Sequence, residues 1–170
     1  MTKKPIEVVV ADDTLIAREG WRAIIGTTDD LQVVGEASTP AEVETILRTS
    51  PGDVLLLDLK WSGDSTAGTR ILRQIKASRP DVAVIAISAY EGLLPHAAAA
   101  GANAAILKSF SRAELLAAIR SAHSDKDKSG SRIAPAKSEA MRHGRRLADL
   151  KPGRRDATPY QRLMGQILPF

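Results

Sequence analysis

The 170-residue chain is 44% apolar and 26% charged, the make-up of an ordinary globular protein with one well-buried core and room for an appendage. It has no cysteine, which excludes disulfides and thiolate metal centres, and no apolar run long enough to span a bilayer. The net charge of +4 is uneven, because residues 125–170 hold 11 of the 24 basic and 5 of the 20 acidic residues, which makes the tail +6 and residues 1–124 −2. The opening MTKKPIEVVVADD meets acidic residues too soon for a secretory leader, so a cytoplasmic protein without a membrane anchor is expected.

In chain order, Ile6–Ala11 (IEVVVA) is a continuous β-rich run that ends at Asp12-Asp13. An amphipathic helix is predicted over Thr14–Thr28, with Leu15, Ile16, Trp21, Ile24 and Ile25 as its apolar members. Leu31–Ala37 reads as a second strand. Thr39-Pro40 then caps and starts a helix over Ala41–Thr49, since proline suits the first helical position. Asp53–Asp58 is the third strand, Thr69–Ser78 the third helix and Val82–Ser88 the fourth strand. A short alanine-rich helix ends near Ala100-Gly101, and Asn103–Leu107 is the fifth strand. Ser111 opens a last helix that runs to about Ala122, with Glu114 placed for a capping box. Five strand–helix units in alternation, with Val/Ile/Leu strands that lack polar alternation, predict a doubly wound α/β fold whose parallel sheet is covered on both faces.

Beyond this 1–124 domain the character changes. Residues 125–157 read as a basic linker with a possible short helix around Ser138–Leu150. Within 158–170, Thr158-Pro159 starts an amphipathic helix with Tyr160, Leu163, Met164, Ile167 and Leu168 on one stripe.

The chemistry is concentrated at strand ends. If the strands are parallel, Asp12-Asp13, Asp58, Ser88 and Lys108 all emerge at one edge of the sheet, where open α/β sheets bind ligands. Paired carboxylates suit a hard cation such as Mg²⁺, which takes one or two carboxylates with waters and substrate oxygens. Asp58 could add an oxygen ligand or serve as a nucleophile toward phosphorus. Lys108 and the Ser88 hydroxyl could offset charge on a phosphoryl group, which is most of what phosphoryl transfer requires. Each of these residues alone has a plain structural reading: Asp-Asp before a helix is often an N-cap, and a strand-end Asp or Lys is often merely solvated. His96, His123 and His143 are isolated and suggest no metal site.

Asp12-Asp13, Asp58, Ser88 and Lys108, each at a strand end, resemble the receiver domain of two-component response regulators over roughly residues 5–123. VVVADDTLIAREGWRAI, VVGEAS and DVLLLDLK further resemble the subfamily that carries a LuxR-type helix-turn-helix. The resemblance implies a five-stranded receiver fold of order 2-1-3-4-5, with Asp58 as the phosphoacceptor. It also implies Mg²⁺ held by Asp13, Asp58 and the backbone carbonyl of Lys60, with Asp12 acting through water. Ser88 and Lys108 would contact the phosphoryl group, and a sensor histidine kinase would dock near the first helix as its donor. The implied output is homodimerisation or binding of a partner, by a switch that is not a turnover enzyme.

The chain departs from that pattern in places. The family usually runs through a Met-Pro-Gly-x-Asp-Gly loop after the phosphoacceptor, where this chain has the longer LKWSGDSTAG. Trp61 in that loop is either a lid over the pocket or a plug against the sheet edge. Pro95 falls inside the expected fourth helix. Ala105 stands where the family often has a rotating aromatic, which leaves Tyr90 as the nearest substitute. The 158–170 helix resembles the first helix of a LuxR-type helix-turn-helix, through Thr158, Pro159, Arg162, Met164, Ile167 and Leu168. A helix-turn-helix reads bases through its second helix, so DNA is an expected partner only if an output domain follows Phe170. Two other readings stand beside the phosphorylated switch: a receiver-like interaction module that works without phosphate, and a DNA-binding regulator deprived of its reader.

Overall fold

The computed structural model describes residues 4–50 and 52–128. The elements run β1 (Ile6–Ala11), α1 (Leu15–Ile25), β2 (Leu31–Ala37), α2 (Pro40–Thr49), β3 (Val54–Asp58), α3 (Ala67–Ser78), β4 (Ala83–Ser88), α4 (Leu94–Ala99), β5 (Ala104–Leu107) and α5 (Arg112–Lys128). All neighbouring strands pair in parallel, in the order β2-β1-β3-β4-β5. This is the doubly wound receiver fold expected from the sequence. The order reverses direction beside β1, so the crevice at the carboxyl ends of β1 and β3 is the natural ligand position.

The unbroken apolar strands are explained by two cores. Alternate residues of one strand point to opposite faces. On one face Val9, Ala11, Leu55, Leu57, Val84 and Ala86 pack with Val43 and Leu47 of α2, Ile71, Leu72 and Ile75 of α3, and Ala97 of α4. On the other, Val8, Val10, Val54, Leu56, Ile85 and Ile87 pack with Trp21 and Ile25 of α1 and Leu115, Leu116 and Ile119 of α5. Every residue of β3 and β4 is buried, so a polar side chain there is tolerated only at the strand end. A bulge in the β1–β2 pairing shifts the register after Val8, so that Val9 faces Gly35; a side chain at Gly35 would run into Ile46 of α2.

Caps and turns follow local chemistry. Thr39 accepts from the Glu42 N–H at 3.3 Å with Pro40 in the first turn of α2. Ser111 and Glu114 form the reciprocal capping box expected at the start of α5, at 2.6 and 3.3 Å. That helix continues to Lys128, past the end near Ala122 expected from the sequence. Pro95 does not interrupt a long fourth helix. A 3₁₀ turn over Glu91–Leu93 precedes α4, and Pro95 lies in the first turn of a helix only six residues long. No helix among the described residues is long and apolar enough to cross a membrane. The helices expected around Ser138–Leu150 and over 158–170 lie outside the described residues.

Candidate functional site

The end of β1 places Asp12 and Asp13, the last residue of β3 is Asp58, the last of β4 is Ser88, and Lys108 follows β5. The fold therefore brings the sequence-selected side chains to one sheet edge. Among the described residues, Asp12, Asp58 and Ser88 are the buried polar side chains, at 0%, 2% and 0% exposure. A buried carboxylate is stable only with partners or a counterion.

Asp12 is held on every side. Its Oδ1 accepts the Thr14 N–H at 2.8 Å, Oδ2 accepts Lys108 Nζ at 2.7 Å, and its carbonyl accepts Arg18 at 2.7 Å. Lys108 Nζ also lies 3.3 Å from Asp58 Oδ1, so one ammonium bridges two buried carboxylates. Desolvation works against the Lys108 charge, but its hydrogen bond to Asp12 and the two carboxylates hold its pKa above the ordinary value. The same ammonium lies 5.9 Å from the centre of the Trp21 ring, which is buried in the core and not on the outer surface.

Asp58 is strongly perturbed. Burial raises its pKa to about 6 and the Asp12 charge adds to the rise, while Lys108 and the Lys60 backbone N–H pull the other way. Asp13 is half-buried and moves in the opposite direction. Partial burial pushes it up, but two donors from Ser62, its own N–H and the Lys108 charge bring it below the ordinary value.

Ligand oxygens of Asp12, Asp13 and Asp58 lie within 4.8 Å of one another. Three carboxylates set against one ammonium leave an excess of negative charge, and an all-oxygen donor set of this kind fits a hard divalent cation. Ser88 Oγ accepts the Tyr90 N–H at 2.9 Å, which orients the hydroxyl with its proton as the donor on offer.

The family model for the response regulator receiver domain matches residues 8–120. The chain belongs to the response regulator receiver domain family. The response regulator UvrY of Escherichia coli is 34% identical over 121 residues, covering 70% of this chain and 55% of UvrY. The transcriptional regulatory protein YhcZ of Bacillus subtilis is 32% identical over 133 residues, covering 76% of this chain and 60% of YhcZ. The chain thus spans little more than half the length of these curated relatives. Among solved structures, a LuxR-family two-component response regulator from Aurantimonas superposes with a TM-score of 0.66 at 26% identity, covering 72% of this chain and 87% of the other. The response regulator domain of Thermotoga maritima CheB superposes with a TM-score of 0.64 at 28% identity, over 71% of this chain and 98% of the other.

The receiver's loop after β3 holds what the sequence did not resolve. Trp61 is a plug and not a lid: it is 3% exposed, packs in the α2–α3 core, and donates its Nε1–H to the Asp58 carbonyl at 2.9 Å. Ser62 gives both its N–H, at 2.7 Å, and its hydroxyl to Asp13 Oδ2. Lys60 sends its ammonium across to Tyr90, 2.9 Å from the phenol oxygen and 4.4 Å from the ring centre. Tyr90 is half exposed, so it stands outside the core, tied to the loop. The absence of a proline after Trp61 signalled a changed loop, but no sequence pattern pointed to Ser62 or to the Lys60–Tyr90 contact.

Proposed function

We propose that this receiver accepts a phosphoryl group on Asp58, in a Mg²⁺-dependent reaction, from the phosphohistidine of a sensor histidine kinase. The single observation that carries this reading is the juxtaposition of a buried Asp58, the Asp12–Asp13 acid pair and the Lys108 ammonium at one sheet edge. In the step itself an Asp58 carboxylate oxygen forms the new bond to phosphorus as the donor's P–N bond breaks, and the electron pair leaves with the imidazole. Asp58 must be ionised to attack, and with Lys108 at 3.3 Å the charged form is available near neutral pH despite burial. Lys108 and the Ser88 hydroxyl are placed to take charge from the phosphoryl oxygens as they arrive on Asp58.

Mg²⁺ would be held by Asp13, Asp58 and the Lys60 carbonyl, with Asp12 in support, and would neutralise phosphoryl charge. Occupation of Asp58 breaks the existing Lys108–Asp58 contact and draws on the Ser88 hydroxyl, and Ser88 is joined to Tyr90 by a hydrogen bond. These are the groups through which a change at Asp58 would reach the surface, there to control a homodimer or a partner. DNA would be contacted only through an output domain beyond Phe170.

Incubation with a small acyl phosphate and Mg²⁺, followed by intact mass, tests the proposal. One added phosphoryl group is expected, lost with EDTA and lost in Asp58→Asn. An unchanged mass, or one that survives Asp58→Asn, contradicts it.

A further inference from the structure

The loop residue Ser62 has no place in the mechanism above, yet it makes two of the hydrogen bonds at the mouth of the pocket. Both of its donors converge on one oxygen of Asp13, Oδ2. The other oxygen, Oδ1, meets the Thr14 hydroxyl at 3.4 Å, outside good hydrogen-bond range. One side of the carboxylate is therefore pinned by the loop and the other is left available. We propose that Ser62 is a positioning residue for the cation: it fixes the rotamer of Asp13 so that Oδ1 is the ligand oxygen. The inference rests on the Mg²⁺ reading given above and adds a residue to it.

The loop is built to hold Ser62 there. Trp61 to Asp64 closes as a turn, with the Asp64 N–H donating to the Trp61 carbonyl at 3.1 Å. Gly63, the third residue of that turn, has φ of +80°, the backbone that a type II turn requires at this position. On one side the turn is anchored by the Trp61 plug and its bond to the Asp58 carbonyl. On the other, Asp64 accepts from the Thr66 N–H and hydroxyl at 2.8 and 2.7 Å and pairs with Arg70 at 2.9 Å. The sequence explains why the contact belongs to this chain. Aligned from Asp58, Trp61-Ser62-Gly63 falls on the Met-Pro-Gly of the family pattern, and a proline has neither of the two donors that Ser62 supplies. Carboxylates that bind metals are commonly held in this manner, and loss of the outer hydrogen bond typically lowers metal affinity about 10–100-fold.

The test is Mg²⁺ binding measured by calorimetry on the full chain, with no phosphodonor. Ser62→Ala keeps the N–H and loses the hydroxyl, and a roughly 3–10-fold weaker Kd is expected, short of the full effect because one donor survives. Ser62→Thr, which restores the hydroxyl, should return Kd to within about twofold of the parent. Asp13→Asn should weaken binding by itself, and adding Ser62→Ala to it should change nothing further. Unaltered or tighter binding by Ser62→Ala, with the parent binding normally, overturns the role of Ser62 alone. A parent chain that binds no Mg²⁺ at millimolar concentration overturns the cation site itself, and the Ser62 inference falls with it.

Discussion

At the scale of single residues, charge in a dry place governs the site. Asp58 is buried beside Asp12, with Lys108 supplying the nearest compensation, and its pKa is pushed up to about 6. A carboxyl whose folded pKa lies above the ordinary 3.8 favours the folded state while protonated, and that advantage is lost as pH rises through the folded value. Asp58→Asn removes the buried charge and keeps the shape. In EDTA the variant should be more stable than the parent by about 1–3 kcal/mol at pH 8, since each pKa unit corresponds to about 1.4 kcal/mol. The difference should shrink toward zero at pH 4. Urea melts at the two pH values check both the sign and the crossover, and equal stability at pH 8 would contradict the buried-charge description.

At the scale of elements, the β3–α3 loop was the least legible part of the chain and carries much of its individuality. The strands were readable because Val9, Leu56 and Ile85 belong to runs apolar on both faces, a local pattern. The strand-end residues were readable because a parallel sheet gathers them at one edge whatever the loops do. Trp61 and Ser62 were not, because their partners, the Asp58 carbonyl and the Asp13 carboxylate, are set by three-dimensional packing. Pro95 does lie inside the fourth helix, in its first turn, but the 3₁₀ turn that precedes α4 was not legible in the sequence. Gly68 in the first turn of α3 shows how tightly the loop is constrained. A Cβ there would lie 2.4 Å from Leu59 Cα and 2.5 Å from the Asp58 carbonyl oxygen, both backbone atoms that cannot rotate away. Gly68→Ala is expected to cost about 3 kcal/mol or more and to lower phosphorylation with it. A thermal melt within about 2 °C of the parent would show that the α3–loop contact is looser than described.

At the scale of the molecule, a sheet covered on both faces supports the site from behind, and polar ties between helices and strand ends add to that packing. One of them is Asp30, just before β2, which receives Arg120 of α5 on both carboxylate oxygens at 2.7 and 2.8 Å. The Arg120 hydrogen bond lowers the Asp30 pKa to about 2. A depressed carboxylate contributes stability that is present above the ordinary value of 3.8 and lost as pH falls through about 2. Asp30→Asn should therefore be slightly less stable than the parent at neutral pH and indistinguishable from it near pH 2. Acid titrations at low and high salt would show the gap narrowing with salt, as for an exposed pair. The five-stranded order comes with the receiver family, and the resemblance to that family is what singles out Asp12, Asp13, Asp58, Ser88 and Lys108. The contacts of Ser62, Trp61 and Lys60 are made by the loop between β3 and α3.

Phosphorylation of Asp58 is decided by the chemical location of the phosphoryl group. After phosphotransfer in Mg²⁺, borohydride reduces an aspartyl phosphate to homoserine, and peptide mass spectrometry then finds the converted residue. Conversion is expected at position 58, dependent on phosphodonor and abolished by EDTA. Conversion at any other carboxylate, or at none while phosphate is bound, would contradict phosphorylation of Asp58.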